Sequence, residues 1–90
     1  MDKKLFIQII SELPNHFDSH KFIRAMLKKY SREYGKLLVT YGDVRVVNSQ
    51  IAQFIADNTE EFDVKVLDNK FKSVDLFLNN VPNTLWEKVQ

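Results

Sequence analysis

The stretch from Ser19 to Tyr41 constrains the fold more than any other part of the chain. At the 3.6-residue period, Phe22, Ile23, Met26, Leu27, Tyr30, Tyr34, Leu37, Leu38 and Tyr41 fall on one arc. Lys21, Arg24, Lys28, Lys29, Arg32 and Lys36 fall on the opposite arc. The spacing predicts one long amphipathic helix, capped at its start by Asp18 or Ser19 and closed by Gly42 at the C′ position. Gly35 lies inside it and costs about 1 kcal/mol relative to Ala, so a kink or break is expected there first. The β-branched content of Leu37 to Tyr41 gives a rival strand reading, but the unbroken phase of the apolar arc favours the helix. In a chain of 90 residues, such a helix leaves room for one core and one domain, residues 1–90.

The other elements are read from where the period changes. Leu5, Phe6, Ile9, Ile10 and Leu13 form one helical stripe, so Lys3 to Leu13 is expected to be a helix ended by Pro14. The Pro14 to Phe17 segment reads as turn. Asp43 to Val47 reads as a connector, and Asn48 or Ser49 caps a third helix to about Asn58 with Ile51, Phe54 and Ile55 inward. From Phe62 the period becomes 2, with Val64 and Val66 alternating against Asp63 and Lys65. Asp68-Asn69-Lys70 then supplies turn chemistry and Phe71 opens a second strand. Residues 73–90 fit either a strand or a short helix after Ser73, with Pro82 interrupting both and Leu85-Trp86 docking on the core. The fold class is therefore α+β: three helices, the second long and amphipathic, then a β-hairpin and a short docked C-terminal segment.

Composition removes several classes of function. Hydrophobic residues are 44% and charged residues 28%, an ordinary globular balance. Cys is 0, which removes disulfides, thiolate zinc sites and cysteine nucleophiles. No apolar run approaches the ~18 residues of a membrane span, and the N-terminus has no signal-peptide pattern. A cytoplasmic protein without membrane partners is expected. Gly35 and Gly42 do not make a phosphate-cradling loop, no serine lies in a nucleophile elbow, and Glu60-Glu61 are adjacent residues pointing different ways. His16 and His20 are four apart, but a turn at Pro14 to Phe17 takes them off a common helical face, and a metal needs further ligands. No enzyme activity, cofactor or metal is expected.

Charge is segregated along the chain. Residues 20–36 carry +5, from Lys21, Arg24, Lys28, Lys29, Arg32 and Lys36 against Glu33. Residues 37–69 carry −4, from Asp43, Asp57, Glu60, Glu61, Asp63 and Asp68 against Arg45 and Lys65. Lys21, Arg24, Lys28 and Arg32 are spaced three, four and four apart, so on one helix they line a single face. Evenly spaced cations match the phosphate ladder of a nucleic acid; they also match an acidic protein, or simply water. The acidic stretch from Asp57 to Asp68 could answer the basic face of a second copy, which makes a homodimer compatible with the pattern.

Asn48-Ser49-Gln50-Ile51-Ala52-Gln53-Phe54-Ile55-Ala56 resembles the first helix of a helix-turn-helix, with a cap, an Ile-Ala pair and an apolar residue following. The resemblance ends at Asp57, beyond which the chain is acidic and alternates. Helices followed by a hairpin, with Lys70 and Lys72 near its tip, also give an order similar to a winged helix. Aromatic residues are 12% of the chain, and Phe77 and Trp86 are candidate partner-binding anchors. Two functions follow: a regulatory module contacting nucleic acid through its basic helix face, or a protein-binding adaptor or inhibitor that takes an acidic partner.

Overall fold

The computed structural model describes residues 1–89. The described chain is α+β, in the order α1 (Lys3–Ser11), β1 (His16–Asp18), α2 (Ser19–Lys29), α3 (Ser31–Tyr41), α4 (Val44–Asp57), α5 (Thr59–Phe62), β2 (Val64–Val74) and β3 (Asn80–Lys88). The three strands form one antiparallel sheet in the order β1-β3-β2.

The first helix forms as its periodicity predicts, with Asp2 accepting from the backbone N–H groups of Lys4 and Leu5. The long helix does not form as one rod. It is interrupted at Tyr30 (φ −129°, ψ 42°), five residues before Gly35, and becomes α2 and α3. A straight helix over 19–41 would be about 35 Å long, as long as the greatest extent of the molecule, 34 Å. A rod of that length cannot wrap a core this small. Breaking it at Tyr30 lets Met26 on α2 and Tyr34 on α3 both enter the core, while Leu27, Leu37 and Leu38 pack at its edge.

The connection from α3 to α4 is shorter than the sequence pattern implies. Gly42 takes the left-handed conformation (φ 77°) and donates to Leu38 O at 2.8 Å, closing α3. Asp43 follows at once as the N-cap of α4, accepting from Arg45 N at 2.7 Å. Residues 44–47, expected as a connector, are therefore the first turn of α4, and Val47 is fully buried.

Two further expectations are corrected in the sheet. Asp68-Asn69-Lys70 is not the hairpin turn but an irregular stretch within β2, bracketed by register shifts at Val66/Asp68 and Asp68/Phe71. Its turn chemistry is spent locally, with Asp68 accepting from Lys70 N at 2.8 Å. The chain reverses instead at residues 75–79, where one Asp75 oxygen accepts from both Phe77 N and Asn79 N. The segment expected as turn at 14–17 contains β1, which pairs His16, Phe17 and Asp18 with Glu87, Trp86 and Leu85 of β3. The tail is thus a strand. Pro82 fits in it because it lies beyond the part of β3 that β1 pairs. Phe62, expected as strand, ends the one-turn helix α5.

One core cluster holds the elements together. Phe6 of α1 packs its ring 4.8 Å from Phe22 and 4.9 Å from Phe54, centroid to centroid. The two glycines should respond to alanine with opposite signs. Gly35 lies mid-helix with open space where a Cβ would stand, so Gly35→Ala should stabilise by about 0.5–1 kcal/mol. Gly42→Ala should destabilise by about 1–2 kcal/mol, because its φ of 77° strains an L side chain. Urea melts of both variants check the pair.

Candidate nucleic-acid interface

Helix α2 turns Phe22, Ile23 and Met26 into the core and so holds Lys21, Arg24 and Lys28 in solvent on its other side. These three form a straight row. Arg32, the fourth cation of the expected stripe, lies beyond the break, in the first turn of α3. The sequence ladder is thus corrected to a row of three, with Arg32 on the next helix.

Three lysines are ion-paired among the described residues. Lys3 pairs with Glu61 at 2.8 Å, Lys29 with Glu12 at 2.9 Å and Lys65 with Glu87 at 3.0 Å. The bond from Lys29 holds the Glu12 carboxyl below its ordinary range, and the same contact raises the Lys29 ammonium. Among the described residues, Lys21, Arg24, Lys28 and Arg32 have no carboxylate within 4.0 Å. Arg24 has a different tie: its Nη1 donates to Val74 O at 2.6 Å, joining the row to the end of β2.

The acidic residues Glu60 and Glu61 lie on α5, which packs against α1, α4 and β2. This helix has 4 residues, too few for the second helix of a helix-turn-helix after α4. Lys70 and Lys72 are exposed along β2 rather than at the hairpin tip, which carries Asp75, Phe77 and Leu78.

The two aromatic candidates separate completely. Trp86 is 1% exposed on β3, the central strand of the sheet, and its Nε1 donates to Ser19 Oγ at 3.2 Å. It offers no surface to a partner, which corrects its assignment as an anchor: β1 and β2 flank it within the sheet and α2 packs against it. Phe77 is 44% exposed at the hairpin turn, with the Arg45 guanidinium carbon 4.5 Å from its ring centroid. Asn48 and Ser49, expected as the N-cap of a third helix, lie inside α4, and Arg45 lies in its first turn. Once α4 starts at Val44, their spacing with Ala52 places them on one helical face toward the hairpin turn.

The histidines lie on different elements. His20 Nδ1 is 2.6 Å from Ser73 Oγ. His16 Nε2 is 2.7 Å from Glu87 Oε2, and Lys65 reaches the other oxygen of Glu87. Glu87 on the central strand thus links both neighbouring strands, and these two bonds hold its carboxyl below the ordinary value of 4.5. A depressed folded value stabilises the fold above the unfolded value and loses that contribution as pH falls through the folded one. Acid unfolding of Glu87→Gln should therefore be less pH-dependent than wild type below about pH 4.5, as read by circular dichroism against pH. Among the described residues, no helix is long and apolar enough to cross a membrane.

No family model, no curated protein and no solved structure matches this chain.

Proposed function

We propose that the chain is a non-enzymatic regulatory module that contacts nucleic acid through the solvent face of α2. Lys21, Arg24 and Lys28 would supply the phosphate contacts, and Arg32 a further one from the start of α3. The observation that carries this reading is the row itself: Lys21, Arg24 and Lys28 stand exposed along one face of α2, and among the described residues neither they nor Arg32 meet a carboxylate. Unpaired cations in a row gain most from a polyanion, because each neutralised phosphate releases a condensed counterion. The sheet order β1-β3-β2 and a terminal hairpin tied to α2 through Arg24 support a winged-helix-like arrangement, with the hairpin end beside the basic row.

A second reading, an adaptor or inhibitor that binds an acidic protein, draws on the apolar hairpin turn. Leu78 is 85% exposed there, beside the half-exposed Phe77. Fluorescence anisotropy at low salt with random-sequence duplex DNA, RNA and polyglutamate separates the two. The proposal expects nucleic-acid binding with Kd of about 10⁻⁴–10⁻⁶ M that is weakened by Lys21→Ala and by Lys28→Ala. Silence with both nucleic acids at about 100 μM protein, together with polyglutamate binding that Phe77→Ala weakens, would favour the adaptor.

A further inference from the structure

Between α4, the first turn of α2 and the hairpin turn lies an open cleft of about 330 Å³. That is the lower end of the size range of small-ligand sites. Ile23, Ala52 and Pro82 give it an apolar part, and Ala52 keeps it open by being small. Above Ala52 on the same face of α4 stand Ser49, Asn48 and Arg45.

Arg45 is placed unfavourably for stability alone. It occupies the first turn of α4, where the helix dipole opposes a cation, and no carboxylate lies within 4.0 Å of it among the described residues. The Phe77 ring holds its guanidinium by the face, which leaves the N–H fork along the edge free. Asn48 Oδ1 already accepts from Tyr34 Oη at 2.7 Å, so its amide hydrogens are what it can offer. Ser49 adds a hydroxyl with no partner among the described residues. His20 Nδ1 is engaged by Ser73, which leaves Nε2. The one carboxylate at the cleft, Asp75, spends one oxygen on the hairpin turn, accepting from Phe77 N and Asn79 N, and its charge is what the Arg45 guanidinium has to offset there.

We propose that this cleft is a phosphate-binding site, with the Arg45 fork as its main contact and Asn48 and Ser49 as supporting donors. The guanidinium fork matches two phosphate oxygens at once, and its stacking on Phe77 fixes that geometry before the ligand arrives. The group could belong to a free nucleoside monophosphate or to a nucleic-acid backbone. The site uses none of the cations of the α2 row, so it stands or falls separately from that reading.

Titrating ¹⁵N-labelled protein with inorganic phosphate and with adenosine 5′-monophosphate tests the proposal. Saturable shifts of the Asn48, Ser49 and Phe77 amides are expected. Arg45→Gln should weaken binding at least tenfold, as should Ala52→Phe, which fills the cleft from the surface side of α4. Lys21→Ala should leave it unchanged. No saturable shift up to about 10 mM of either ligand, or equal binding by natively folded Arg45→Gln, would overturn it. A duplex-DNA arm distinguishes the sources. If Arg45→Gln lowers duplex affinity and makes its salt slope shallower by about one, the site takes a backbone phosphate. If duplex binding is unchanged while the monophosphate is lost, the site takes a free ligand.

Discussion

Truncating Trp86 to alanine should cost about 3–5 kcal/mol, the usual range for a buried aromatic side chain. Domains of this size hold a margin near the low end of 5–15 kcal/mol, so the variant should be largely unfolded or close to it at room temperature. The reason lies in what meets at this ring. Trp86 is 1% exposed, paired with Phe17 on one flank and Val66 on the other, and bonded through Nε1 to Ser19 at the start of α2. Its removal would open a cavity at the junction of the sheet with α2 and leave the Ser19 hydroxyl without its donor. Trp86→Phe should be milder, by keeping part of the ring and losing mainly the hydrogen bond, about 0.5–1.5 kcal/mol, together with some packing. Trp86 is the 1 Trp of the chain, so the melts are followed by circular dichroism rather than by its fluorescence. A loss under about 1 kcal/mol for Trp86→Ala would place the ring at the surface and contradict the fold described.

What the sequence could convey was local, and what it missed was set by distant partners. The phase of apolar residues correctly put Phe22, Ile23, Met26 and Tyr34 inside and Lys21, Arg24 and Lys28 outside, because one helix turn decides which side each occupies. The interruption at Tyr30 carries no Pro or Gly signal; it answers the size of the core, which is a property of the whole chain. Strand β1 escaped because three residues are too few for a period, and its identity depends on pairing with β3 some seventy residues later. The turn chemistry at Asp68-Asn69 serves an irregularity within β2, while Asp75 accepts the bonds that close the reversal. Phe77 and Trp86 looked alike as aromatic anchors until strand register put one at the tip and the other in the core.

The basic row of α2 should make duplex binding strongly salt-dependent, the second large effect expected of this protein. Each phosphate neutralised contributes about −0.9 to the slope of log K against log salt. Three contacts, from Lys21, Arg24 and Lys28, give a slope near −3, so raising salt from about 50 to 200 mM should weaken binding roughly 40-fold. An Arg32 contact would steepen it further. Lys28→Ala should make the slope shallower by about one, and it should do so on any duplex sequence, as a phosphate contact must. Lys29→Ala, which removes a cation already paired with Glu12, should change it less. The deciding measurement is therefore the salt slope of random-sequence duplex DNA for wild type, Lys28→Ala and the triple variant Lys21→Ala/Arg24→Ala/Lys28→Ala. A slope of about −3 or steeper that becomes shallower by about one in Lys28→Ala and by about three in the triple variant supports the α2 interface, whereas an equal slope in all three proteins would contradict it.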